Sequence, residues 1–212
     1  MEKNNKRVTG IVLAAGLSSR MGQLKQLLPV GGIPSVIRVV RVLSESIDDV
    51  IVILGHMANH IGEALENENC SCVFNEEYEE GMLSSIQCGL RSIEKKSSYI
   101  IALGDQPQIK ESTVSRLLKK GSLTKKGIVI PKFKGRRGHP IFISSKYKDK
   151  IQNLDRTHGL NFVTRKYAND VLEMETDESE ILKDMDTFSD YIRINQLLHD
   201  GDEHAYYNRK NL

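Results

Sequence analysis

Apolar positions along the chain fall into two alternating patterns. Val8–Leu13, Val50–Leu54, Cys72–Phe74, Tyr99–Leu103 and Ile128–Pro131 are short, mostly continuous apolar runs rich in β-branched residues. Such runs are expected of strands covered on both faces. Between them, apolar residues recur at helical spacing. Ser35–Ser46 carries Val36, Val39, Val40 and Leu43 at that spacing, and Ala58–Leu65, Ser84–Ile93 and Ser112–Lys120 also read as helices. Ser112 is the expected N-cap of the last of these. Strand alternating with helix predicts an α/β fold, a mostly parallel sheet with helices on both faces. After Pro140 the pattern loosens. Ile141–Ile143 reads as an antiparallel strand, Tyr147–Leu154 and Leu160–Tyr167 as short helices, and Val171–Met174 and Ile181–Met185 as short strands. Phe188–Leu198 reads as a terminal helix with Tyr191, Ile194, Leu197 and Leu198 on one face. With no repeat or linker in sight, residues 1–199 are read as one domain and residues 200–212 as a polar, disordered tail.

Charge and composition narrow the function classes. The 212 residues carry a net charge of +2, which gives no electrostatic case for nucleic acid or a membrane surface. No apolar run approaches the roughly 20 residues of a membrane span. The first residues, MEKNNKR, are polar and unlike a signal peptide. Three cysteines, an odd count, fit reduced thiols and a cytoplasmic setting. Cys70 and Cys72 lack the spacing and the second pair of a zinc knuckle, and the six histidines form no H-E-x-x-H pair.

In open parallel sheets, ligands sit beyond the carboxyl ends of the strands. Three unusual segments stand there: Ala14–Lys25, Gly104–Pro107 and Pro131–His139. The first belongs to LAAGLSSRMGQLKQLL at 13–28. Small residues let backbone N–H groups approach an anion, and Arg20 and Lys25 supply charge where phosphate would lie. The string is neither a Walker loop nor G-x-G-x-x-G. It points to a nucleoside triphosphate. Asp105, in the turn after Leu103, is placed either to hold a metal or to cap a helix. The loop at 131–140 is basic and glycine-rich, and Lys132, Arg136 and Arg137 can meet an anionic substrate or simply be solvated.

The string LAAG-x-S-x-R-M-G, followed by Lys25, resembles the signature of the molybdenum cofactor nucleotidyltransferases. That resemblance implies a Rossmann-like three-layer α/β/α nucleotidyltransferase fold with a small antiparallel, acceptor-side portion. It implies nucleotide contacts from Leu13, Ala14, Ala15, Gly16, Ser18, Ser19, Arg20 and Lys25. Lys25 would stabilise charge at the α-phosphate, and Arg20 would hold the β- and γ-phosphates. L-x-G-D-x-P at Leu103–Pro107 resembles the family's metal turn, implying that Asp105 binds Mg2+; Gln106 replaces the more frequent Met. Asp184-Met185-Asp186-Thr187 resembles the segment carrying the second metal ligand, with Asp186 favoured over Asp184. Phe188 and Ser189 depart from that pattern, while Asp190 keeps it. Gly81–Ile86 with Gly89 resembles the segment near base and sugar, implying Ser84, Ser85 and Gly89 there; either serine could equally cap the helix. Gly138-His139-Pro140 resembles the segment lining the acceptor site, with Lys132 and Arg137 as its cations.

One run departs more seriously. Where the cytidine-using branch has a G-D-x-G-A-R-like run, this chain reads Arg156-Thr157-His158-Gly159-Leu160-Asn161, without the acid or the arginine. Ala15 follows the L-A-A-G form of the cytidine-using branch rather than L-A-G-G of the guanosine-using one. The implied reaction transfers CMP from CTP to a molybdopterin-type acceptor and releases pyrophosphate. A molybdoenzyme receiving the product is the implied protein partner. The alternatives are another phosphorylated acceptor (a sugar or polyol phosphate), GTP as donor, or a non-catalytic nucleotide sensor or molybdoenzyme maturation partner.

Overall fold

The computed structural model describes residues 7–93 and 96–198, so the tail expected over 200–212 lies outside the described residues. The order begins with β1 (Val8–Leu13), a hairpin of β2 (Pro29–Val30) and β3 (Ile33–Pro34), α1 (Ser35–Ser44), β4 (Asp49–Leu54), α2 (Ala58–Leu65) and β5 (Ser71–Phe74). It continues with α3 (Met82–Ser92), β6 (Ser98–Leu103), α4 (Glu111–Leu123), β7 (Ile128–Phe133), β8 (Arg136–Arg137) and β9 (Ile141–Ile143). Last come α5 (Lys148–Gln152), α6 (Leu160–Lys166), β10 (Val171–Glu175) and a helix over 188–198.

The main sheet runs β10-β7-β9-β6-β1-β4-β5, with β8 paired to β7. β1 lies between β4 and β6 and is parallel to both. β5 extends the sheet parallel to β4, and β10 runs parallel to β7. β9 is antiparallel to both β6 and β7. The sheet is therefore mostly parallel with a small antiparallel portion, as expected.

The continuous apolar runs are explained by two cores. Successive side chains of a strand point to opposite faces. Val12, Val52 and Ile100 enter a core with Val40 of α1, Ile61 of α2 and Leu117 of α4. Their neighbours Ile11, Ile53 and Ile101 enter the opposite core with Ile86 of α3, Ile151 of α5 and Val163 of α6. Every residue of β6 is buried, so no position in it needs to be polar for solvent's sake. Each fully buried aliphatic side chain contributes roughly 1.5–3 kcal/mol relative to exposure. None of the described helices is long and apolar enough to cross a membrane.

Two local expectations are corrected. Ser112 is not the N-cap of α4: Lys110 is, and the Ser112 hydroxyl bonds Glu178 at 3.0 Å inside the first turn. Glu111 opens the helix instead, where an acid meets the positive end of the helix dipole. Residues 181–185 form no strand. A single 3-10 turn covers Ser179–Leu182, and the chain then runs on without a sheet partner. Ile181 and Met185 are nevertheless buried, Ile181 in the first core and Met185 against Val30 and Ile194. Their apolarity serves packing, not a strand period.

α3 lies close to the sheet because Gly89 faces it. A Cβ there would stand 2.9 Å from Ile11 Cγ2 and 3.3 Å from Ile53 Cδ1. Gly89→Ala is therefore expected to lower stability by about 1–3 kcal/mol through overpacking. Urea denaturation measures this, and an unchanged midpoint would show that α3 can move away without loss.

Candidate active site

The site forms where β1 and β6 end side by side. Ala14 N–H donates to the Ile53 carbonyl at 2.9 Å, and Gly104 N–H donates to the Leu13 carbonyl at 2.9 Å. A Cβ on Gly104 would lie 3.0 Å from that same Leu13 oxygen, so glycine lets the two strand ends approach. The Ser35 hydroxyl donates to the Gly104 carbonyl at 2.8 Å and pins the turn from below. Asp105 follows directly.

Beyond β1 the chain turns through Gly16–Met21. Ser18 adopts a positive φ of 52°, and its hydroxyl donates to Gln26 Oε1 at 3.1 Å while accepting from Lys25 N–H at 3.3 Å. Gln26 is buried, so these bonds anchor the loop to the turn that carries Lys25. The loop then encloses a cavity of about 220 Å3 lined by Gly16, Ser18, Ser19, Arg20, Lys25 and Asp186.

Lys25 is the hub. Its ammonium contacts the Asp105 carboxylate and Asp186 Oδ1, the latter at 2.9 Å. Arg20 Nη2 holds Asp186 Oδ2 at 2.9 Å. Burial pulls the Lys25 pKa down, but Asp105 and Asp186 outweigh it and leave the value raised. Lys25 is thus a cation at neutral pH. Burial pushes the Asp105 carboxyl up against the pull of Lys25, and the Asp184 charge adds to the rise. Gln106, in the place where the family pattern has Met, donates to Asp184 Oδ1 at 2.6 Å. Asp184 is tied to an amide while Asp186 shares the ammonium with Asp105.

The carboxylate segment is seated from two sides. Met185 N–H donates to the Asp105 carbonyl at 3.1 Å, and His139 N–H donates to the Ile181 carbonyl at 3.0 Å. Gly138 is buried beneath that carbonyl, which a Cβ at this position would strike. Pro140 is buried behind it. Burial pushes His139 down to about 4, with the Asp105 charge pulling partly the other way, so the imidazole is neutral at neutral pH.

Asp105 and Asp186 suit a divalent cation. Both offer hard oxygen donors, and a phosphate-bridging Mg2+ takes one or two carboxylates and keeps several waters. Among the described residues no cluster of three or more His, Cys, Asp or Glu could hold a metal. The rest of the coordination would fall to phosphate oxygens and water.

Other expected residues are engaged in packing, in turns or in ion pairs. Ser84 and Ser85 are buried under the start of α3, where Asn75 Nδ2 donates to their hydroxyls at 2.9 and 3.1 Å. The Ser84 hydroxyl donates to the Glu77 and Gly81 carbonyls, so the pair shapes the 75–81 turn. Neither serine caps the helix, whose N-cap is Gly81. Gly89 lies in the core. Leu13, Ala14 and Ala15 form the strand exit, with the Ala15 methyl turned toward Gly55. Lys132 and Arg137 are occupied: Lys132 bonds Glu173 at 2.6 Å and Glu175 at 3.3 Å, and Arg137 bonds Glu173 at 2.8 Å. Those glutamates were not singled out in the sequence. The one signal is their spacing of two on β10, which acquires meaning only once β10 pairs with β7. Arg136 stands in the basic loop, and Lys183 carries no signal in the sequence. They line a cavity of about 450 Å3 on the other side of Asp186, with Arg193, Asp184 and Asp190. Neither Arg136 nor Lys183 makes an ion pair among the described residues. Arg156, in the departing run, bonds Gln87 at 3.1 Å and Glu77 at 2.6 Å, and also meets Glu80.

Residues 10–171 match the family model described as a MobA-like NTP transferase domain. The molybdenum cofactor cytidylyltransferase of Escherichia coli (strain K12) is 28% identical over 183 residues, 86% of this chain and 92% of that protein. Nicotine blue oxidoreductase of Paenarthrobacter nicotinovorans is 32% identical over 146 residues, 65% of this chain and 71% of that protein. A Mycobacterium tuberculosis H37Rv protein solved in complex with manganese superimposes with a TM-score of 0.74 at 26% identity, covering 90% of this chain and 98% of that one.

Gly138→Ala should unseat the 179–186 segment while leaving the sheet intact. Hydrogen exchange is expected to speed up at the Met185 and His139 amides and stay unchanged in β1 and β6. Equal protection at Met185 in both proteins would contradict this role for Gly138.

Proposed function

This chain belongs to the MobA-like NTP transferase family, and from that premise we propose that it transfers CMP from CTP to a molybdopterin-type acceptor phosphate, releasing pyrophosphate. The observation that carries the proposal is the meeting of Arg20, Lys25, Asp105 and Asp186 at the ends of β1 and β6. Those groups are the two halves of a triphosphate site, one for the anion and one for its metal.

In this reading the loop at Gly16–Met21 takes the triphosphate in the cavity beside Lys25. Lys25 neutralises charge developing at the α-phosphate, and Arg20 holds the β- and γ-phosphates. Asp105 and Asp186 would hold Mg2+, which would supply positive charge to the triphosphate. The acceptor's phosphate monoester is already anionic and needs no general base. That agrees with His139, which is neutral and whose backbone is engaged. The protein's work is to hold two anions in line against their repulsion.

The acceptor is best met from the other side of Asp186. Arg136 and Lys183 line the cavity there and add to Lys132 and Arg137, which are ion-paired to Glu173 and Glu175 as Lys25 and Arg20 are to their own carboxylates. Cytidine is favoured by the cytidylyltransferase relative and by Ala15, which is 6% exposed and fills the turn against Gly55. A molybdoenzyme receiving the product is the partner this reading implies. The oxidoreductase relative marks a different chemistry. Two carboxylates sharing an ammonium beside a phosphate loop favour transfer over it.

The deciding assay is pyrophosphate release from CTP, GTP, ATP and UTP, each with molybdopterin and Mg2+. CTP should react fastest; release from GTP alone would overturn the base assignment, and tight nucleotide binding with no release would favour a sensor. Lys25→Ala should lower turnover by about 100-fold or more with a small change in nucleotide KM. A rise in KM alone would remove Lys25 from the α-phosphate.

A further inference from the structure

The cations assigned to phosphate and the carboxylates assigned to metal are bonded to each other. Lys25 bridges Asp105 and Asp186, and Arg20 occupies the remaining oxygen of Asp186. Both oxygens of Asp186 are therefore engaged by the residues meant for the nucleotide. The Lys25 and Asp105 side chains are 14% and 15% exposed, so water screens their contact poorly.

This pairing sets the terms on which each ligand can enter. A divalent cation arriving alone must approach two carboxylates that already hold an ammonium between them. Cation–cation repulsion at such range is strong in a poorly screened site. A triphosphate arriving without metal must draw Lys25 and Arg20 off Asp105 and Asp186 and leave two like charges facing each other. Arriving together, each ligand takes its own half. Phosphate oxygens replace the carboxylates as partners of Lys25 and Arg20, and the metal replaces the two cations as partner of the carboxylates.

We propose that Lys25 and Arg20 are resident counterions of the metal carboxylates, so that metal and triphosphate enter through one exchange of ion pairs and each binds weakly without the other. The inference rests on the assignment of these four residues given above. Its sign is opposite to that of four independent contacts, because removing a cation should help the metal and removing a carboxylate should help the metal-free nucleotide. Linkage further requires metal to raise the affinity for triphosphate by the same factor as triphosphate raises the affinity for metal.

The test uses Mn2+ alone, followed by the electron paramagnetic resonance signal of the free ion in protein without nucleotide. Lys25→Gln and Arg20→Gln should each bind Mn2+ tighter than the unmodified protein, with a gain of roughly 5- to 150-fold for Lys25→Gln. The Arg20 side chain is 69% exposed, so Arg20→Gln should fold normally and decides the matter if Lys25→Gln does not. In the converse arm, Asp186→Asn should bind CTP in EDTA more tightly than the unmodified protein. If folded variants lacking a cation bind Mn2+ no better than the parent, the proposal is overturned. Loss of pyrophosphate release from every nucleotide, with the Mn2+ gain intact, would instead overturn the assigned reaction and leave the ion-pair exchange standing.

Discussion

One ion-pair bridge organises the functional end of this molecule. Lys25 stands on the turn after the β1 loop, Asp105 on the turn after β6, and Asp186 on a segment 161 residues away from Lys25 in the chain. No two of these positions are brought together by local structure. The parallel pairing of β1 with β6 sets the first two side by side. The third arrives only because Met185 is buried against Val30 and Ile194 and bonds back to the Asp105 carbonyl. The cores on both faces of the sheet thus serve a short-range electrostatic arrangement at one end of it. An unpaired buried carboxylate would be costly there, and Lys25 removes that cost.

The central sheet was the most legible part of the chain. β1 and β9 fall on the expected boundaries, and β4, β5 and β6 begin one residue earlier than their apolar runs. Strands buried on both faces advertise themselves as unbroken apolar runs, so tertiary context and local pattern agree. Residues 181–185 misled because Ile181 and Met185 are apolar for two different cores, not for one strand face. The ion pairs of Lys132 and Arg137 are illegible in the sequence for a related reason. A basic loop reads as an anion site until its partners are known, and Glu173 comes 36 residues after Arg137. Gly89 shows the same limit: a glycine that lets a helix approach a sheet looks, in one dimension, like a glycine near a ligand.

The segments proposed for the donor and for the acceptor differ in how far they follow the family pattern. The loop at 13–28 and the Asp105 turn keep its pattern and come together in space. The run at 156–161 departs from it, and Arg156 there is spent on Glu77, Glu80 and Gln87. That arginine ties the link between α5 and α6 to the turn where Ser84 and Ser85 are buried. The departure is therefore structural as well as chemical, since Arg156 braces the 75–81 turn.

β9 gives this division a longer reach. It is the antiparallel strand between β6, which carries Asp105, and β7, which leads into the basic loop. On one side of it lie the strands that lead to the cavity beside Lys25, joined in an uninterrupted parallel ladder. On the other side lie β7, β8 and β10, a small unit with its own ion pairs. On the proposed reading, a change in the β7–β10 unit alters the contacts open to an acceptor and leaves intact the parallel ladder that carries Lys25 and Asp105.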